Sequence, residues 1–416
     1  MQTRYARNYL IFIVGLCLVL FACSIFTPGA NQDQHSFDAT IQYLTTSETP
    51  TITATAAATV TRLAAPTSTI TPTATVALTP TATPETYGPS GFPTNVDPLT
   101  GQTVLDPNIL IRRPVLIKVA NFPANGRPHA GLSFADMVFE YYIGEGTNRF
   151  AALYYGQDAT QVGPVRSGRR VDAQLGRMYE SILGYDSADQ TLVNPIIVKA
   201  LGNRAISLNS FTCPALCDNG SHTVTSVFAN SAELSKYAVN NRGVTNLRPN
   251  LDGMTFDSRP PTLGQVANTV DVFFNLYDQG EWRYNSSSGQ YLRWIESTDS
   301  NNKVTLVPLN DRITGQQLSF SNIVVVFAVY DQLAPTLHDI NLWYDQSGRR
   351  AILFRDGQAV DGIWKSGGTD SPLRFYSSQN TPLPFKPGNT WMVFMGINSK
   401  LNQPSSGQWT FQFNLP

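Results

Sequence analysis

Between residues 136 and 170 the chain concentrates charge that it lacks elsewhere. Asp136, Glu140, Glu145, Arg149, Arg166, Arg169 and Arg170 all fall there, while charged residues make up only 14% of the whole, against about 25% in ordinary soluble domains. Three chemistries suit such a set. If Met137–Ile143 is a strand, Glu140 shares a face with Val138 and Tyr142 and is drawn inward, and a buried carboxylate needs a cation, here expected to be Arg149 or Arg166 in an internal ion-pair network. Alternatively, Arg166 and the backbone N–H groups of the helix that follows form a polar cleft for a carboxylate or phosphate. The third reading takes Glu140 and Glu145, with His222, as the acid and base of a wall-glycan hydrolase, which needs carboxyl groups about 5–10 Å apart across a groove.

The remaining candidates are fewer. Cys213, Cys217 and His222 offer three metal ligands where a structural zinc needs four, and outside a membrane thiols oxidise, so a Cys213–Cys217 disulfide is preferred to a metal site. Phosphate-binding loops, Gly-x-Gly-x-x-Gly turns, Gly-x-Ser-x-Gly elbows and His-Glu-x-x-His helices do not occur, so no nucleotide-dependent chemistry and no cofactor are expected. A net charge of -1 supplies no field for nucleic acid.

The elements that must hold these residues are legible from apolar spacing. Pro114–Ala120, Met137–Ile143 and Arg149–Tyr155 read as strands. Val171, Leu175, Met178, Tyr179 and Ile182 recur at helical spacing, predicting one amphipathic helix over about 169–183, with Val193–Leu201 and Ala232–Val239 as two more. In Gly163-Pro164-Val165-Arg166-Ser167, the first two residues set a turn into the long helix and Ser167 is placed to cap it. After Pro249 the pattern turns to short strands between Gly-rich turns: 269–277, 281–284, 290–295, 323–330, 339–344, 351–354, 362–365 and 391–394. The expected class is therefore α+β, with a mixed α/β first domain over 90–255 and a mainly antiparallel β second domain over 256–416. Trp282, Trp294, Trp343, Trp364, Trp391 and Trp409 are assigned to core and cross-strand packing, with a carbohydrate-binding platform as the alternative.

The amino-terminal part reads differently. Arg4 and Arg7 precede an apolar run from Tyr9 to Ala22, and Leu20-Phe21-Ala22-Cys23 has the form of a lipoprotein cleavage site, so residues 1–22 are read as a signal peptide and Cys23 as the lipidated residue, with an uncleaved signal anchor as the alternative. Either way the two arginines keep the N-terminus inside and send the rest to the outer face of the cytoplasmic membrane. Residues 23–88 carry Thr49-Pro50, Thr71-Pro72, Thr79-Pro80 and Thr83-Pro84 with few charges and aromatics, a composition expected to stay disordered as a stalk of about 3.1 Å per residue where extended.

Several short stretches also carry a family likeness. Arg127-Pro128-His129-Ala130-Gly131-Leu132, Ala135-Asp136, Thr147-Asn148-Arg149-Phe150 and Gly163-Pro164-Val165-Arg166-Ser167 resemble the amino-terminal domain of the YerB-like lipoproteins, domain of unknown function 3048. Gly362-Ile363-Trp364-Lys365, Pro372-Leu373-Arg374-Phe375 and Pro387-Gly388-Asn389-Thr390-Trp391 resemble its carboxy-terminal domain. The resemblance covers about 90–416 and implies two domains and an envelope location, but no known activity. His222 matches a His position of the family, whereas Gly184-Tyr185-Asp186-Ser187 stands where the family carries another His. The leading expectation is a non-catalytic binding or scaffold lipoprotein that takes a cell-wall polymer or an envelope protein; the hydrolase is the alternative.

Overall fold

Runs of consecutive apolar residues become strands covered on both faces. Val115–Ala120 (β1), Met137–Gly144 (β2) and Thr147–Tyr154 (β3) are buried over nearly their whole lengths. The computed structural model describes residues 86–335 and 337–415, and all of these belong to a unit spanning Thr79–Pro416. The signal segment, Cys23 and the Thr/Pro stretch up to residue 85 lie outside the described residues.

The first half continues with helix α1 (Arg170–Met178), strand β4 (Ile182–Tyr185), helix α2 (Asn194–Leu201), strand β5 (Ala205–Ser207) and helix α3 (Ser231–Arg242). The single helix expected over 169–183 is thus a helix followed by a strand. Tyr179 ends it, Glu180 takes a left-handed φ of 48°, and Ile182 and Leu183 enter the sheet in parallel with Val115 and Leu116. Helical spacing continues through these positions, but pairing with β1 decides them. Ser167 does not cap α1: its hydroxyl lies 3.1 Å from that of Ser187, and the Asp172 carboxylate accepts from the Arg169 N–H at 2.6 Å instead. Helix α3 is capped conventionally, by the Asn230 side chain accepting from the Glu233 N–H and by left-handed Gly243.

The second half supplies Gln265–Asn275 (β6), Asp278–Asn285 (β7), Gln290–Thr298 (β8), Val304–Pro308 (β9), Asn322–Ala328 (β10), Arg349–Arg355 (β11), Gln358–Lys365 (β12), Arg374–Ser377 (β13), Thr390–Gly396 (β14), Lys400–Asn402 (β15) and Gly407–Gln412 (β16). Most pairings are antiparallel, as expected, but β10 with β14 and β6 with β16 are parallel. The strand read over 339–344 is instead Leu337–Ile340 in a hairpin with Tyr330–Ala334, and the chain beyond it is irregular.

Strands of both halves share one sheet, ordered β5-β4-β1-β3-β2-β14-β10-β11-β12-β13; its junction is the parallel pairing of Met137–Tyr141 with Thr390–Phe394. A second sheet, β9-β8-β7-β6-β16-β15, is joined to it where Gln265 and Val266 pair with Ala359 and Gln358. Between the sheets, Phe150, Trp282, Phe320 and Trp391 pack edge to face with ring centroids 4.8–5.9 Å apart, the geometry that aromatic quadrupoles favour. Trp282, Trp364, Trp391 and Trp409 are core residues, whereas Trp294 and Trp343 are half-buried.

Candidate functional site

The residues singled out by charge divide between the two faces of the β2–β3 hairpin. Cross-strand partners are Tyr141 with Arg149 and Glu140 with Phe150, so Glu140 and Arg149 point to opposite faces. A register shift between Tyr142 and Gly144, next to the tight turn at Glu145–Gly146, produces this arrangement. Without that extra residue Arg149 would lie opposite Tyr142, on the face of Glu140, because a one-residue slip reverses the side-chain alternation.

The expected pairing of Glu140 with Arg149 or Arg166 is therefore replaced by another. Glu140 is 1% exposed and accepts from Asn148 Nδ2 at 2.5 Å, from Trp391 Nε1 at 2.7 Å and from the Arg293 guanidinium at 3.3 Å. Arg293, on β8, is equally buried and lies against the rings of Trp282 and Trp391, 4.5 and 5.4 Å from their centroids. Burial raises the Glu140 carboxyl above its usual range, with Arg293 and the Trp391 donor opposing. Asp136 is also buried and accepts from the Tyr155 and Gly156 N–H groups; burial, then the neighbouring Asp97, holds its carboxyl well above the ordinary range. Both acids serve the interior.

On the other face a different set converges. Lys118 of β1, Tyr141 of β2 and Asp172 of α1 are fully buried, with Tyr141 hydrogen-bonded to both partners and Lys118 Nζ 3.4 Å from Asp172 Oδ1. Burial lowers the Lys118 amine to about 7, Asp172 opposing, and Arg149 and Arg169 lowering it further. Arg149 donates to the Ser167 carbonyl at 2.8 Å; burial, then Arg169 and Arg166, push its guanidinium down to about 9. Arg166 is half-buried, and its Nε is enclosed without a hydrogen-bond partner among the described residues. Asp172 thus stands with Lys118 and Tyr141 and acts on Arg149 and Arg169.

Arg149, Arg166 and Arg169 line one cleft of about 1140 Å³. It lies where β1 and β2 end, the antiparallel β3 begins and α1 starts. Phe122, Val224, Tyr277 and Val307 line its mouth and are exposed. Arg127 and Glu296, paired at 2.6 Å, form the opposite wall with Asn148. Beneath that wall Asp278 accepts from the Asn121 side chain and the Asn148 N–H, and burial, with Glu296 and Glu140 nearby, holds its carboxyl well above the usual range.

Glu145 lies at the exposed hairpin tip, on the edge of the cleft. His222 is on a separate loop, its side chain 83% exposed and its Nδ1 3.5 Å from Asp218. Glu140, Glu145 and His222 therefore do not converge on one groove, and Arg170 is held by Asp339 at 2.9 Å. Cys213 and Cys217 form a disulfide with a Cα separation of 5.1 Å. Among the described residues, His, Cys, Asp and Glu make no cluster able to hold a metal.

Sequence reasoning missed Lys118, Asp172, Arg127, Asp278, Arg293 and Glu296. The signal for the first was present: a lysine inside the otherwise apolar run Pro114–Ala120 must be buried and paired. Asp172, at the third position of a helix, carried a capping signal. Arg293 and Glu296 stand three apart in Tyr291-Leu292-Arg293-Trp294-Ile295-Glu296, on opposite faces of a strand, and nothing local separates either from a solvent-facing charge.

Comparison with known proteins agrees with this architecture. The protein named "Putative lipoprotein YerB" of Bacillus subtilis (strain 168) is 28% identical over 309 residues, covering 71% of this chain and 84% of that protein. A crystal structure of YerB from Bacillus subtilis superposes with a TM-score of 0.57 at 26% identity, covering 72% of this chain and 96% of the other. Residues 99–244 match the N-terminal domain, and residues 270–392 the C-terminal domain, of the protein family of unknown function DUF3048. On both domains, in the family's order, the chain belongs to the DUF3048 family.

Proposed function

We propose that this protein is a lipid-anchored binding protein of the bacterial cell envelope, held on the outer face of the cytoplasmic membrane through Cys23, and that its folded part captures an anionic group of a wall polymer or envelope partner without catalysing a reaction. The observation that carries the binding role is the convergence of Arg149, Arg166 and Arg169 on one cleft, where among the described residues Glu296 is already held by Arg127 and Glu145 stands at the exposed edge. Charge in that ratio favours an anion, and guanidinium forks give the hydrogen bonds to hold one. The hydrolase reading loses support because Glu140 is buried against Arg293 and His222 lies on a separate loop.

Arg166 is the position to test. It has no carboxylate within ion-pair distance among the described residues, so Arg166→Ala should change stability by no more than about 1 kcal/mol, while retention of the full-length chain on purified cell-wall material falls at least about tenfold, or about 1.4 kcal/mol. Unchanged retention would remove the cleft from consideration. The anchor rests on the sequence around Cys23 and on the name of the relative, which calls that protein a lipoprotein. Cys23→Ala is expected to leave an uncleaved precursor without acyl label; normal lipid incorporation in the variant would rule the anchor out.

A further inference from the structure

The binding reading says only that an anion is held; the surroundings of the three guanidinium groups say more about which anion and at what pH. Arg149, Arg166 and Arg169 come from different segments, the start of β3 and the two ends of the turn leading into α1, and meet in the same cleft. Burial lowers the Arg149 guanidinium, with Arg169 and Arg166 adding to it, and burial lowers that of Arg169, with Tyr141 and Asp172 opposing and Arg166 adding. Behind them, with no exposure, the Lys118 amine contacts Tyr141 and Asp172. Among the described residues Arg127 is paired with Glu296 and Lys118 with Asp172, so Arg149, Arg166 and Arg169 against Glu145 at the edge leave an excess of two positive charges in the cleft. A carboxylate ligand would offset only half of it, whereas a doubly charged tetrahedral oxyanion matches it and presents acceptors towards several forks at once.

We propose, resting on the cleft reading above, that the group taken at Arg149, Arg166 and Arg169 is a dianionic tetrahedral oxyanion of the phosphate class, and that its binding is accompanied by uptake of one proton from solvent onto the amine of buried Lys118. The charged and titratable groups around Lys118 are Tyr141 from β2, Arg149 from β3, Asp172 from α1 and Arg169 from the turn before it; the hydroxyl of Tyr185 on β4, raised first by burial, also feels Asp172. Helix α3 presents an apolar face here, Leu234 against Gly184 of β4. Of these groups Asp172 favours the charged amine, while Arg149 and Arg169 oppose it. A dianion beside the two arginines offsets their repulsion, so the amine holds its proton to higher pH in the complex than in the free protein.

The sign of the linkage follows. Below about pH 7 the amine is already protonated and binding takes up nothing; above it the free protein has lost the proton that the complex retains. Affinity therefore falls as pH rises above 7, by at most about tenfold per unit for one proton. Arg149, at about 9, stays largely protonated up to pH 8.

Sulfate is a suitable probe because it is a dianion that does not titrate in this range. The experiment is calorimetric titration of the detergent-solubilised full-length chain with sulfate at pH 6 and pH 8, in pairs of buffers with different ionisation heats and at ionic strength fixed with chloride. The expected result is sulfate binding that Arg166→Ala abolishes, with a buffer-dependent heat of more than about half a proton per sulfate at pH 8 and almost none at pH 6. Lys118→Met should bind sulfate with neither the buffer-dependent heat nor the pH dependence. Sulfate binding with no proton uptake in the natural chain at pH 8 would overturn this inference and leave the anion cleft standing. Absence of any Arg166-dependent sulfate binding at pH 6 would overturn both.

Discussion

Arg293→Ala is expected to cost about 3–5 kcal/mol of folding stability, the largest effect of any single change considered, because it strands the Glu140 carboxylate in the interior. Both groups are 1% exposed, and they join the two sheets: Glu140 on β2 of the large sheet, Arg293 on β8 of the second. The guanidinium also lies against Trp282 and Trp391, so truncation removes ring contacts as well as charge. Asn148 and Trp391 would still donate to the carboxylate, which makes protonation of Glu140 the cheapest relief. Its carboxyl is already raised above the ordinary range by burial, and losing Arg293 raises it further. A carboxyl whose folded value lies above the unfolded one makes the folded state the better proton binder, so stability is lost as pH climbs from the ordinary Glu range through the raised value. The deficit of Arg293→Ala should accordingly be larger at pH 8 than at pH 5. Urea unfolding of natural chain and variant at both pH values checks this, and equal midpoints at pH 8 would show that the pair contributes nothing. The double change Glu140→Leu with Arg293→Met should recover most of the loss, since apolar replacements leave no charge to strand.

The second large effect concerns the two halves. Residues 86–257 expressed alone are expected to lack cooperative unfolding. Separation exposes the β2 edge along Met137–Tyr141, which pairs with Thr390–Phe394 in the whole chain, and uncovers Phe150, packed 4.9 Å from Trp391. The same cut leaves Glu140 without Arg293 and Trp391. Burying one large apolar side chain contributes about 1.5–3 kcal/mol, so losing several such contacts is comparable to the whole stability of about 5–15 kcal/mol of a typical domain. Near-ultraviolet circular dichroism and amide dispersion of the fragment, beside those of the full-length chain, provide the check. A sharp, well-dispersed spectrum and a steep urea transition from the fragment alone would contradict it.

Much of this protein was determined by the sequence alone. Periodicity placed α2 and α3 and most of the long strands, because these segments carry one clear period and sit between Gly, Pro or Asn signals. The concentration of charge around residues 136–170 marked the region that lines the cleft, and the motifs around Arg149 and Arg166 carried the family. Tertiary structure decided the rest. Helical spacing through Ile182 gave way to a strand because β1 offered an unpaired edge, and the energy of that pairing is not written in local spacing. One extra residue near the Glu145–Gly146 turn reversed the face of Arg149 relative to Glu140 and so separated an interior acid from a cleft cation. The partner of Glu140 is Arg293, 153 residues away in sequence. A strand pattern shows that a side chain alternates inward; only the packing of a second sheet fixes which charge it meets there, because that choice is made across chain separations on which local sequence bears no signal.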